Sequence, residues 1–336
     1  MWHIGLDVHQ KTSTICILDE NGKGIQKRTI RGRWDRLIAE LQDIDEPFAI
    51  CFEASTGYGY LFEQLSKIAK RVLVAHPGQL RLIFHSKRKN DRVDAEKLAK
   101  LLYLDAVPTV YVPSLDVRSW RSMINHRHQL VTERTRTKNA IRALLRSHGI
   151  SSPRYLWTPA NLKWLSTLAL PTNLDALQRD ILLERYNSLI PLIERVETAL
   201  EKIANNNPGV NLLMTIPGVG IRTAEAVVAY IDNPQRFGRN KAIGSYFGII
   251  PCQDASAKTN RLGHITRDGP STVRKVITEA AWQGIRHSQY IRAYFERIKQ
   301  NKPERKKIAL VATAHYLLRV MLAMLQTGEL WRHSAA

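Results

Sequence analysis

The chain is predicted to open with an α/β domain, continue through a long helical region and close in a mainly α C-terminal domain. Three observations predict this order. β-Branched runs with two-residue alternation are confined to the first hundred or so residues, apolar residues recur at helical spacing from Leu115 to about Asn205, and a Pro-Gly-Val-Gly turn then separates two further helical segments. Pro108 and Pro113 bracket an extended stretch, so the expected divisions are 1–110, 111–205 and 206–330. A length of 336 residues is ample for two or three domains with a sizeable core.

The first strand is Ile4-Gly5-Leu6-Asp7. A second covers Lys11 to Leu18, the turn cluster Asp19-Glu20-Asn21-Gly22-Lys23-Gly24 closes a hairpin, and Ile25 to Ile30 alternates as a third. Three antiparallel strands with an aspartate on the first are how an RNase H-like sheet begins. Another apolar strand, Phe48 to Phe52, leads to Glu53 and then Ala54-Ser55-Thr56-Gly57, where a strand should give way to a helix. Acids at the carboxyl ends of such strands converge on one crevice. Asp91 and Asp94 lie three apart in a stretch of helical composition, hence on one helical face near the positive end of the dipole. Singly, each reads as a helix cap or surface acid. Together, Asp7, Glu53, Asp91 and Asp94 suit Mg²⁺, which takes oxygen ligands and leaves positions for phosphate and water; Mn²⁺ is the expected substitute.

In the second region Trp120, Met123, Ile124, His128, Val131 and Thr135 form a mixed stripe, continued by Ile141, Leu144 and Leu145. Ser151 to Thr172, with three prolines, should interrupt the helices. A second stripe follows, from Leu174, Leu177 and Ile181 to Leu200 and Ile203, and Pro191 should kink or divide it. Two long helices joined by a loop suggest a helical hairpin or coiled coil. The third region opens on Ile216-Pro217-Gly218-Val219-Gly220 before a helix from Thr223 to Ile231, a helix-hairpin-helix pattern in which amides around Gly218 and Gly220 sit at a helix N-terminus. Cys252 to Asn260 reads as a loop holding Ser256, flanked by Lys258, Arg261 and Arg267. Spacing alone does not make this serine a nucleophile, since no general base adjoins it in sequence.

A formal charge of +20 argues for a polyanionic partner, because phosphate neutralisation with counterion release drives such binding. Lys and Arg cluster at Lys27 to Arg36, at Lys87-Arg88-Lys89 with Arg92, at Arg134, Arg136 and Lys138, and at Arg305-Lys306-Lys307. The group beside Asp91 is the best placed to hold a phosphate near the acids. Cys16, Cys51 and Cys252 have no metal spacing and read as reduced thiols. The histidines show no zinc pattern, and His126 and His128 read as surface residues. No signal peptide is read at the start. The apolar stretch from Ile308 to Leu325 contains His315 and Arg319, as a buried helix would, so no membrane association is expected.

These features, taken together, resemble a known family. Gly-Leu-Asp-Val-His around Asp7, Phe-Glu-Ala-Ser-Thr-Gly around Glu53, Asn-Asp-Arg-Val-Asp-Ala around Asp91 and Asp94, Ile-Pro-Gly-Val-Gly, and Arg-Leu-Gly-His-Ile-Thr-Arg stand in the order found in the DEDD transposases of the insertion-sequence "one-ten" family. The resemblance spans nearly the whole chain. It implies a RuvC-like N-terminal domain, a coiled-coil region and a C-terminal transposase domain, with Mg²⁺ on the four acids and a serine that links covalently to DNA. The matching serine is Ser256. Ala257 stands where the family often has glycine, which leaves Ser245 and Ser271 as alternatives. The resemblance further implies a structured noncoding guide (bridge) RNA that pairs with donor and target DNA; coordinated strand exchange calls for a homo-oligomer (dimer or tetramer) joined through the helices from Leu115 to Asn205, and the reduced thiols fit a prokaryotic cytoplasmic setting.

Two other functions use parts of the same pattern. A RuvC-like structure-selective endonuclease would activate water with the same carboxylates and need no serine. An actin-like or sugar-kinase-like ATP-binding protein also opens on a Gly-x-Asp strand, but the charge and the want of a second glycine-rich phosphate loop count against it.

Overall fold

The computed structural model describes residues 1–83, 91–256 and 259–332; the side chains of residues 91, 92, 255, 256, 259 and 260 lie outside that description. The chain forms two compact units, Met1–Leu115 and Asp116–Ala336. The first boundary thus falls five residues beyond the expected one, and the expected second and third regions share one unit.

In the first unit, β1 (Trp2–Val8), β2 (Thr12–Leu18), β3 (Gly24–Arg31), β4 (Phe48–Glu53) and β5 (Arg71–Ala75) form one sheet in the order β3-β2-β1-β4-β5. β1, β2 and β3 pair antiparallel, whereas β4 lies parallel to both β1 and β5. This mixed sheet is consistent with the RNase H-like expectation. Period-two alternation sorts its side chains. Ile4, Leu6, Ile15, Ile17, Ile50 and Phe52 pack on one face with Leu37 and Leu41 of α1 (Trp34–Gln42) and Leu61 and Leu65 of α2 (Tyr58–Leu65). The other face takes α4 (Asp91–Tyr103), which follows α3 (Pro77–Ile83): Ala49, Cys51 and Ala75 meet Leu98, Leu101 and Leu102, and Cys16 and Leu18 meet Ala95 and Ala99. Gly5 permits this approach. A Cβ there would lie 2.0 Å from the Ala95 carbonyl oxygen and 2.4 Å from the Ala99 nitrogen.

The second unit begins with an antiparallel pair of long helices, α5 (Leu115–Ser147) and α7 (Asn173–Asn205). Leu130 meets Leu189 and Ile193 near the middle, while Ile141, Leu145 and Leu183 pack at the tip with Leu156 and Leu165. Leu165 belongs to α6 (Pro159–Thr167), so the segment expected only to interrupt the helices carries one of its own. α7 also runs unbroken through Pro191. The missing amide costs one hydrogen bond, about 3 kcal/mol in a helix interior, which burial of Leu189 and Ile193 on either side offsets. The buried stripe of α7 is Leu183, Tyr186, Leu189, Ile193, Leu200 and Ala204. Leu174, Leu177 and Ile181, expected to be part of it, are 77%, 54% and 55% exposed.

At the base of the pair, Trp120, Ile124, Leu200 and Ala204 enter the same core as the C-terminal helices, which is why the two regions are one unit. Those helices are α8 (Pro208–Leu213), α9 (Ile221–Ile231), α10 (Ala242–Tyr246), α11 (Ser271–His287), α12 (Gln289–Lys299) and α13 (Lys306–Thr327). The segment Pro303–Thr327 is apolar and long enough to span a membrane, yet half of its most apolar stretch is buried within the protein, where α13 contributes Leu317, Leu318 and Met321 to the core. Between α10 and α11 a two-stranded ribbon, β6 (Pro251–Ser256) and β7 (Thr259–Ile265), replaces the expected loop. Its described side chains, at 251–254 and 261–265, are largely exposed, so no apolar alternation marked it in the sequence.

Candidate active site

Register and helix direction determine where the acids fall. β1 and β4 run parallel with Leu6 opposite Phe52, so Asp7 and Glu53 are next in step at the carboxyl ends of adjacent strands. Ile4, Leu6 and Val8 face α1 and α2, and the alternation turns Asp7 to the opposite face with His3 and Gly5. α4 covers that face in the reverse direction: Tyr103 at its end meets the His3 ring edge-on at 5.5 Å, and Ala99 and Ala95 cross Gly5. Its N-terminus, with Asp91 and Asp94, therefore starts at the end of the sheet that holds Asp7 and Glu53. The structure thus brings three described acids, Asp7, Glu53 and Asp94, to one end of one sheet face. The Asp91 side chain and the whole of Lys87, Arg88 and Lys89 lie outside the described residues, as does the Arg92 side chain.

The acids are locally partnered. Asp7 Oδ2 lies 3.6 Å from His9 Nε2, and Lys97 Nζ donates to Asp94 Oδ1 at 3.3 Å. Among the described residues no three His, Cys, Asp or Glu side chains converge closely enough to hold a metal ion. The fit to Mg²⁺ is therefore one of hard oxygen donors at a common place, not of a closed coordination shell. Glu96, one turn inside α4, has a structural task instead. Hydrogen bonds from Lys100 and from Lys27 of β3 pull its carboxyl down to about 2 and fasten the helix to the sheet. The first basic cluster is partly consumed in this way, since Arg28 and Arg36 both pair with Glu40.

In the second unit the ribbon register sets Ser256 opposite Thr259 and Asp254 opposite Arg261. Ser256 is thus at the tip of a hairpin, its neighbours Ala257 and Lys258 lie outside the described residues, and Arg261 is two pairs back along the ladder. Residues two apart share a face of a strand, so Asp254 sits on the face of Ser256. Sequence reading missed that carboxylate because a loop has no faces. Ser245 lies in α10 and Ser271 begins α11, so neither is on the hairpin. Arg267 is exposed just beyond β7.

The remaining nucleic-acid candidates separate by environment. Gly218, at φ +87°, packs so tightly that a Cβ would fall 2.3 Å from the Gly284 nitrogen of α11, and the following amide is used within the turn, donating from Val219 to Ile216. It is a packing glycine, whereas Gly220 is open at the N-cap of α9. On α5, Arg136 is exposed and Arg134 half-buried. Lys138 sits 4.8 Å above the Trp157 ring and 5.5 Å above that of Tyr186. Burial, then Arg134 and Arg142, lowers its pKa. Arg142, within the basic stretch from Arg134 to Arg146, also lies over Trp157 at 5.5 Å. His128, expected at the surface, is half-buried with its pKa lowered by burial, Lys275 and Arg127. Cys16 and Cys51 are buried free thiols as expected, and Cys252 is exposed.

Two transposase family models match the chain. Residues 4–150 match the profile of the DEDD transposases of the IS110 group, and residues 210–296 match that of the transposase IS116/IS110/IS902 family. The chain is 24% identical over 344 residues to the transposase for insertion sequence element IS1111A of Coxiella burnetii, covering 99% of this chain and 92% of that one. It is similarly 26% identical over 296 residues to a putative transposase, y4pF/y4sB, of Sinorhizobium fredii, covering 86% and 75%. Against the transposase for insertion sequence element IS1328 of Yersinia enterocolitica it is 24% identical over 292 residues, covering 85% of each.

Proposed function

From the matches of residues 4–150 and 210–296 to transposase models of the IS110 and IS116/IS110/IS902 families, we propose that the chain is a transposase of that kind and cuts and rejoins DNA strands with the four acids as its metal-binding set and Ser256 as its nucleophile. The observation that carries this reading is the meeting of Asp7, Glu53 and the start of α4 at one end of the sheet. Asp7, Glu53, Asp91 and Asp94 would hold Mg²⁺, which when bound supplies Lewis acidity and charge neutralisation at phosphate oxygens.

Rejoining strands without an external energy source favours a covalent enzyme intermediate over hydrolysis, which would discard the ester. The Ser256 oxygen bonds to phosphorus as it gives up its proton, and a deoxyribose oxygen leaves and takes one. Attack on the phosphoserine by another strand's hydroxyl then restores the serine. Arg261 and Arg267, with Lys258, offset charge gathering on the phosphate. Replacing Asp7, Glu53 or Asp94 by the matching amide is expected to reduce strand cleavage by at least about a hundredfold while nucleic-acid binding persists. Full cleavage by Asp7→Asn would remove the acids from the mechanism.

The same reading extends to partners: donor and target DNA, a noncoding guide RNA and a second copy of the chain. Protein purified from its host is expected to carry one discrete RNA; site-specific recombination by RNA-free protein would overturn that part alone.

A further inference from the structure

The hairpin that carries Ser256 stands on an unusually constrained base. Gly248, at φ +60°, lies so close to the chain leaving β7 that a Cβ would fall 2.2 Å from the Asp268 nitrogen, and a Cβ on Gly269, at φ +66°, would fall 2.2 Å from the Tyr246 oxygen. The Thr266 amide donates to Ile250 at 2.9 Å and the Arg267 amide to Gly248 at 3.1 Å. Arg267 itself adopts φ +62°, a left-handed conformation that a non-glycine residue keeps only when its surroundings impose it. Into this junction α11 sends Arg274 from its first turn. Its Nη1 donates to the carbonyl oxygens of Phe247 at 3.2 Å, of Gly269 at 3.1 Å, and of Asp268. Phe247 precedes β6, whereas Asp268 and Gly269 follow β7. One guanidinium therefore ties the entering chain to the leaving chain.

We propose that Arg274 is the positioning residue of the Ser256 hairpin, holding the two roots of the ribbon together so that its tip meets a DNA phosphate in one orientation. The proposal rests on the reading of Ser256 as the nucleophile. An isolated two-stranded ribbon is marginally stable, and among the described residues no third strand lies beside β6 and β7. From Pro251 to Ser256 the ribbon is a lever about 17 Å long at roughly 3.3 Å per residue. A swing of about 10° at its root would carry the tip roughly 3 Å, and a misplacement of about 1 Å is enough to slow a reaction on the order of a hundredfold. Arg274 is half-buried and its Nη1 is committed to backbone carbonyls at both roots of the ribbon, so the effect on rate ascribed to it runs through the hairpin.

The test uses the full chain with its co-purified nucleic acid, Mg²⁺ and a duplex bearing an end of the element, and compares wild type with Ser256→Ala, Arg274→Gln and Arg274→Lys. Three quantities are read: the single-turnover rate of the denaturant-stable protein–DNA adduct, DNA affinity, and amide hydrogen exchange at Thr266 and Arg267 against that of α13. Arg274→Gln is expected to slow adduct formation about a hundredfold, to leave affinity within about twofold, and to speed exchange at the two base amides alone; Arg274→Lys, which keeps a cation with several donors, should recover part of the rate. A wild-type adduct rate in Arg274→Gln, with Ser256→Ala forming none, would overturn the positioning role and leave the nucleophile in place. An undiminished adduct in Ser256→Ala would instead overturn the nucleophile reading, and the proposal with it, whatever Arg274 does. If Arg274→Gln also loosens α13, Arg274→Lys decides: a slower adduct with α13 protected supports the proposal, and an unchanged rate with exposed base amides refutes it.

Discussion

Gly5 shows how much one position can carry. The contacts a Cβ would make there are with helix backbone, at 2.0 Å and 2.4 Å, so no side chain can swing aside to relieve them. Gly5→Ala is expected to destabilise the first unit by about 3 kcal/mol, measured by denaturant unfolding, and to push α4 with Asp94 away from Asp7. His315 makes a prediction of a different kind. Burial, and then the neighbouring Arg319, lowers its pKa from the ordinary value of 6.5, and among the described residues its Nε2 has no hydrogen-bond partner. A base with a depressed folded pKa contributes stability that is present above the unfolded value and lost as pH falls through the folded one. Unfolding of the second unit should therefore become easier below pH 6.5, and His315→Leu should flatten that slope; an unchanged slope would clear His315 of the effect. At this scale Asp7 and Glu53 were legible because a lone acid at the end of an apolar strand stands out. Asp254 and Arg274 were not, since their significance lies in a strand face and in three carbonyls that no sequence spacing encodes.

Among the elements, α5 and α7 were legible as helices but not in their facing. The apolar residues of α7 cover more than one side, and which side is buried depends on what α5 and α6 offer. Leu174, Leu177 and Ile181 remain outside on one face, which suits them to the contact with a second copy proposed above. Leu177→Glu with Ile181→Glu should lower the assembly size seen by light scattering with nucleic acid present and leave thermal unfolding nearly unchanged; an assembly of unaltered size would place the contact elsewhere. The joint between the helical pair and the C-terminal core is polar as well as apolar. Across it Arg222 of α9 bridges Glu201 of α7 to the buried Glu225, while within the pair Arg127 of α5 reaches Glu197 of α7 at 2.9 Å. Desolvation raises the Glu225 pKa against the pull of Arg222, so this acid costs stability as pH rises above 4.5, the reverse of His315.

For the whole molecule, a charge of +20 should make nucleic-acid binding steeply salt-dependent. With six or more phosphate contacts, affinity is expected to fall about a thousandfold between roughly 50 and 200 mM salt; a flat response would deny the phosphate backbone its leading part. Some of this charge is unavailable, because Lys27, Arg28, Arg36, Arg127 and Arg222 are held in ion pairs. Composition could not reveal that, since an ion pair between β3 and α4 joins residues 69 positions apart. What the sequence determined alone was the order of α/β, long-helical and mainly helical regions and the acids at strand ends, all written in short-range periodicity and in residue types with few other uses. Tertiary structure alone decided which face of the sheet the acids share, which stripe of α7 is buried, and that the Ser256 segment is a ribbon pinned by Arg274. Each of these depends on contacts between residues far apart in the chain, and a local pattern constrains such contacts only loosely.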